Sequence, residues 1–437
     1  MARWSRAVAG LGMALALIAA TEPDAPARPG VDAPELAALG RYPIGVADMV
    51  FVQRDQLYPL ADGSDPRPAD RRLAVKIWYP AAAGAGGGTM YRTALPGEDG
   101  RPVAFSVPGL ATPGAAPVRG RFPLVILAHG YSNTPEILSW LGENLASKGY
   151  VVVAPAFADP SITIRTPEAQ AGPLARRPLD IVFVAAEAQR RARAGEGPLA
   201  AADPGATVLI GYSMGGYGAL AAAGGRLSPS LGPATRGVLT PYVADGVQRT
   251  ALRVDGLKAV VAIAPPSNLR DRVLWAENGM ASITAPTLFI VGSQDRVVGY
   301  DPGVRTLFER ASATRRYLLT FRDAGHSIAL VGAPAEMRRS FWDLDWFEDA
   351  VWRKDRLLAV QTHFITAFLD RYVKGDATRA GYLDGLVPDS SAGSWPNSPV
   401  GRYAGYSPGP PVSTIWKGFQ PSRRAGLLFD ALGPIPQ

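Results

Sequence analysis

The sequence predicts an α/β fold: a mostly parallel central sheet with helices on both faces. Three observations carry this. Apolar runs of strand length recur at residues 122–128, 150–155, 206–210, 257–264, 286–292 and 316–321. Their apolar character is continuous rather than alternating, as in strands buried on both faces of a parallel sheet. Segments with helical spacing separate several of them, at 135–148, 178–193 and 216–223, and strand–helix alternation is the pattern of a layered α/β domain.

In chain order, Arg3 and Arg6 precede an uncharged, mostly apolar run at 7–20, too short to span a bilayer and suited to the core of an export signal. Residues 1–27 are therefore expected to be a signal peptide with its cleavage region, and 28–40 a Pro/Ala/Asp-rich lead-in. No other stretch is a transmembrane candidate, so no stable membrane span is expected after cleavage, and the expected location is periplasmic or extracellular. A catalytic domain is expected over 41–384. Residues 72–80 alternate apolar and polar and end in Pro80, a strand signal. Residues 81–121 are rich in Gly, Pro and Ala and are expected to be a long surface excursion.

The stretch 135–148 places Ile137, Leu138, Leu141 and Leu145 on one side of a helix that Thr134 caps and Gly149 ends. After the helix at 216–223, residues 224–256 are irregular. Both 81–121 and 224–256 are candidate insertions that cover a site. Residues 341–352 are dense in aromatics and acids, and 354–372 form a long amphipathic helix. The Pro/Ser/Gly-rich stretch 385–437 is expected to be an irregular extension packed on the domain.

Composition excludes several classes. There is no cysteine, hence no disulfide, thiolate metal site or cysteine nucleophile. The net charge of +7 is spread along the chain without a dense run, and no nucleic-acid-binding motif accompanies it, so nucleic acid is not an expected partner. No metal or cofactor is implied, and nothing indicates an oligomeric state.

The chemistry centres on Gly211-Tyr-Ser-Met-Gly215, between the apolar strand 206–210 and the small-residue helix 216–223. Strand, G-x-S-x-G and helix in that order form a nucleophile elbow. The turn is tight, and glycine two residues either side of Ser213 makes room for it. A serine hydroxyl needs a base. The chain has three histidines. His129 ends a buried strand directly before Gly130, and a role bracing that loop is expected for it. His363 lies in the last long helix. His326 stands in the loop Asp323-Ala-Gly-His-Ser327 directly after a strand, where the base belongs. Asp295 follows the strand 287–291 and is the expected carboxylate behind His326, in preference to Asp301, which opens a turn, and Asp323, which is too near in sequence. The oxyanion of acyl transfer requires two N–H donors. Met214, after the nucleophile, and Tyr131, after Gly130, are the candidates. Trp140, Trp275, Phe341, Trp342 and Trp346 are candidates for an apolar acyl site, with the hydrophobic core as the competing placement for each.

These pieces, with Ile77-Trp-Tyr-Pro80, Val125-Ile-Leu-Ala-His-Gly130 and Val291-Gly-Ser-Gln-Asp295, resemble the α/β-hydrolase superfamily. Within it the chain is similar to bacterial platelet-activating-factor acetylhydrolases and dienelactone-hydrolase-like proteins. Cutinase-like polyester hydrolases are similar around Gly130-Tyr131 and Ser213-Met214. The resemblance implies an α/β-hydrolase fold, Ser213 as nucleophile, Asp295 and His326 as its partners, and the Tyr131 and Met214 N–H groups as oxyanion hole. Dienelactone hydrolases proper use a cysteine nucleophile, so that activity is disfavoured here. The implied activity is cleavage of a small-molecule or polymeric carboxylic ester. A lipase, polyester hydrolase or peptidase on the same residues, and an inactive binding protein on a hydrolase fold, are the alternatives.

Overall fold

The computed structural model describes residues 30–59, 62–84, 86–392, 415–420 and 423–435. The expected signal segment 1–27 and part of the expected C-terminal extension lie outside them. The strands are β1 (Ile44–Tyr58), β2 (Arg67–Pro80), β3 (Thr89–Pro96), β4 (Pro102–Gly109), β5 (Thr112–Pro113), β6 (Phe122–Ala128), β7 (Val151–Pro155), β8 (Ala202–Tyr212), β9 (Leu257–Ile263), β10 (Asn268–Leu269), β11 (Arg272–Val273), β12 (Thr287–Gly292), β13 (Arg316–Phe321) and β14 (Leu427–Leu432). The helices are α1 (Ser139–Ser147), α2 (Pro167–Ala194), α3 (Met214–Ala222), α4 (Leu231–Ala234), α5 (Arg305–Arg310), α6 (Phe341–Phe347) and α7 (Lys354–Tyr372).

Ten strands form one sheet in the order β14-β13-β12-β9-β8-β6-β7-β2-β1-β5. Neighbours from β7 through β13 run parallel. The β1–β2 ribbon joins antiparallel at one side, and β14 at the other. Every residue of β7, β12 and β13 is buried, which explains their unbroken apolar character. α2 and α3 pack against each other and β8, while α1 and α7 pack against each other and the sheet. The mostly parallel sheet covered by helices on both faces is thus the fold class the sequence predicts.

Three elements differ from the local reading of the chain. α2 begins at Pro167, well before the helix expected at 178–193, and carries Pro173 and Pro178 inside it. Interior proline normally argues for a helix end. Thr166 caps the true start, its hydroxyl accepting from Ala169 N–H at 3.2 Å. Residues 81–121 contain a two-stranded hairpin, β3–β4, outside the main sheet. Within the tail, Leu427–Leu432 form β14, an edge strand whose partner β13 lies about a hundred residues earlier and supplies the pairing that local sequence does not signal.

Candidate active site

β8 ends at Tyr212, α3 starts at Met214, and Ser213 between them has φ 53° and ψ −120°. A non-glycine residue at positive φ is strained by roughly 1–3 kcal/mol. The glycines of the motif permit it by close approach. A Cβ on Gly211 would meet the backbone of Gly215, and one on Gly215 would meet the Ala128 and His129 carbonyls. Gly215→Ala is therefore expected to lower stability by about 1–3 kcal/mol, read as a lower urea midpoint, with activity falling as the elbow shifts.

The chain brings together Ser213, His326 and Asp295. His326 Nε2 is 3.0 Å from Ser213 Oγ, and His326 Nδ1 is 2.7 Å from Asp295 Oδ2. A carboxylate accepts only, so Nδ1 carries the proton and Nε2 is free to accept from the hydroxyl. Asp295 is 4% exposed. Burial alone would raise its pKa, but His326 and the amides of Val298 and Val297, which donate to Oδ1 at 3.0 and 2.9 Å, outweigh burial and hold it below the usual carboxylate range. The His326 ring stacks on Tyr212 with centroids 5.2 Å apart. The Tyr212 hydroxyl donates to the His326 carbonyl at 3.0 Å. Asp323, the other carboxylate near His326 in sequence, donates its backbone N–H to Ser293 Oγ at 2.8 Å. An alcohol, an imidazole and a carboxylate in this order can deprotonate the alcohol and hold the resulting imidazolium.

Above Ser213 lies a cavity of about 740 Å³. Tyr131 and Met214, the two oxyanion candidates, both line it, as do Trp342 and Trp346. Met214 opens α3, where first-turn N–H groups have no intrahelical partner and the helix dipole favours negative charge. Gly130 stands against Ser213 and leaves no spare room, since a Cβ there would sit 3.2 Å from that of Ser213.

The other aromatic candidates fall elsewhere. Trp140 is 8% exposed and donates to the Ala329 carbonyl at 2.8 Å, in the core. Trp275 is buried too, donating to Pro266 O at 3.1 Å and packing on Tyr217. Phe341 is 87% exposed on α6. Nor do 81–121 or 224–256 supply a wall: among the described residues the cavity is bounded instead by 266–269, 294–298 and 342–350. The density of aromatics and acids at 341–352 was the available signal for the last of these.

His129 and His363 are fully buried away from this relay. Nε2 of His129 accepts from Phe157 N–H at 3.1 Å and Nδ1 bonds the Gly130 carbonyl at 2.7 Å, so the ring ties the Gly130 loop down. His363 Nδ1 accepts from Leu36 N–H at 3.1 Å.

The nucleophile-elbow strand order, the mostly parallel sheet and the relay on strand-end loops define an α/β-hydrolase fold. Comparison with known proteins agrees. Residues 111–192 match the family model for platelet-activating factor acetylhydrolase, isoform II. Over 118 residues the chain is 34% identical to each of two Thermobifida alba proteins, cutinase est1 and cutinase est2, a segment that is 27% of this chain. The match thus spans about a third of those relatives' length, 34% of each. A ferulic acid esterase from Streptomyces cinnamoneus superposes with TM-score 0.50 at 20% identity, covering 78% of this chain and 94% of that one, a likeness of fold. Among the described residues no helix is long and apolar enough to cross a membrane.

Proposed function

We propose that the protein is an exported serine hydrolase that cleaves carboxylic esters through an acyl-enzyme. The observation that carries this reading is the continuous relay from Asp295 through His326 to Ser213, opening into a cavity of about 740 Å³. Ser213 attacks the ester carbonyl while His326 Nε2 takes its proton. The oxyanion is met by the N–H groups of Met214 and Tyr131. The same imidazolium then protonates the departing alcohol, and the neutral ring activates the water that releases the acid. Asp295 keeps the ring in the productive tautomer and stabilises its charge.

The cutinases among the similar proteins favour an ester over an amide. The mixed cavity wall, with two indoles and several carboxylates, accommodates a bulky uncharged acyl group. A panel of short and long p-nitrophenyl esters, polyester film and aminoacyl amides tests this. Turnover of amides with none of esters would overturn it. A fluorophosphonate probe that fails to label the wild type would support the inactive-scaffold alternative.

Trp342 gives a specificity test. Its indole nitrogen is buried without a hydrogen-bond partner among the described residues, so replacing it removes mainly apolar surface. Trp342→Ala is expected to lower kcat/KM for long-chain or aromatic acyl esters about 5- to 30-fold, the equivalent of about 1–2 kcal/mol of lost apolar contact. Acetate esters, too short to reach the indole, should change little. Equal loss for both would place Trp342 outside the acyl site.

A further inference from the structure

A buried ion pair next to the elbow has no part in the relay. Arg177, on α2, and Asp159, after β7, approach to 2.6 Å with side chains 0% and 2% exposed. Stability alone is a poor reason for such a pair, because desolvation of two charges offsets most of their attraction. Their remaining bonds are more informative. Arg177 Nη1 donates to the His129 carbonyl at 2.9 Å. Asp159 Oδ2, the same oxygen that meets Arg177, accepts from Ser132 N–H at 3.0 Å. The pair therefore grips the chain at the carbonyl before Gly130 and at the amide after Tyr131. Only Gly130 and Tyr131 lie between the two grips.

The backbone on both sides is held in conformations that L-residues seldom adopt. Ser132 and Ala158 each have φ 55°. Such geometry persists where surrounding bonds over-determine it. The guanidinium also lies 3.7 Å above the Phe157 ring, and Phe157 N–H is itself bonded to His129. Loop 129–132 and loop 157–159 are thus locked as one unit with α2. Neither Arg177 nor Asp159 lines the cavity.

We infer that the Arg177–Asp159 pair is a positioning device for the oxyanion hole, aiming the Tyr131 N–H at the carbonyl oxygen that becomes negative as Ser213 attacks. This rests on the hydrolase reading above. Both residues act through the loop and neither touches substrate.

The test compares a p-nitrophenyl ester with its thionoester, in which sulfur replaces the carbonyl oxygen. Sulfur is the poorer hydrogen-bond acceptor and its bond to carbon is longer, so an aligned oxyanion hole favours the oxygen ester strongly. Asp159→Asn keeps an oxygen for Ser132 N–H but removes the charge facing Arg177. It is expected to lower kcat for the oxygen ester about 10- to 100-fold, a fraction of what deleting a whole donor does. KM should stay within about threefold, since the lost interaction belongs to the transition state. The thionoester, which already gains little from the donor, should hardly change, so the oxygen-to-sulfur rate ratio collapses. Arg177→Lys keeps a charge but not the two-way fork, and should move the ratio in the same direction; it decides the matter if the first variant does not fold. Proportional slowing of both substrates, or an unmoved ratio, would overturn the inference while leaving the hydrolase reading intact. A wild type that cleaves neither ester would instead remove the hydrolase reading, and this inference with it.

Discussion

Ser213→Ala will reduce ester turnover by about four to six orders of magnitude, with KM almost unchanged. The expected size follows from the mechanism. In the proposed mechanism the acyl-enzyme cannot form without Oγ, and what remains is the modest acceleration from bound substrate and the proposed oxyanion donors. The substitution removes one oxygen at a position whose backbone, at φ 53°, is set by its neighbours. Circular dichroism and urea midpoint should therefore match the wild type. Fluorophosphonate labelling should vanish. A variant that kept a tenth of wild-type activity would mean another group is the nucleophile.

Acidification will destabilise the protein through two buried histidines. His129 and His363 are both fully buried, and both titrate near pH 3 in the native state. Burial is the main cause for each. The Arg177 charge adds to it at His129, and the Lys148 charge at His363. An unfolded histidine titrates near about 6.5. Between those values the unfolded chain binds protons that the native chain refuses, so stability is full above about pH 6.5 and falls as pH drops toward 3. At pH 5 each ring accounts for about 2 kcal/mol, and the two for about 4 kcal/mol, at 1.36 kcal/mol per pH unit. Urea titrations at pH 7.5 and 5.0 should show that loss. His363→Gln, whose side-chain oxygen can still accept from Leu36 N–H, should remove about half of it. A stability that stays flat between these pH values would mean that the rings protonate within the fold.

The local parts of the site were legible in the chain. Gly211-x-Ser213-x-Gly215 between an apolar strand and a small-residue helix specifies its own turn, because the glycines answer steric demands arising within five residues. His326 and Asp295 each stand directly after a buried strand, and in a parallel sheet the ends of neighbouring strands lie side by side. That adjacency is why residues far apart in sequence could be grouped at all. The walls of the cavity were not legible in the same way. Trp140 and Trp342 look alike as letters, yet one packs into the core and the other faces the cavity, a difference set by which element each helix packs against. The prolines within α2 misdirect a local reading for the same reason, since packing along α3 and β8 holds the helix together through them.

By itself, the sequence determined the sheet class, the elbow and the three side chains that the fold brings into one relay. Each follows from steric or hydrophobic demands acting over a few residues. Tertiary structure alone decided the shape of the cavity, the edge strand β14, and the grip of Arg177 and Asp159 on the Gly130 loop. Those depend on contacts between segments remote in the chain, whose partners no local pattern encodes.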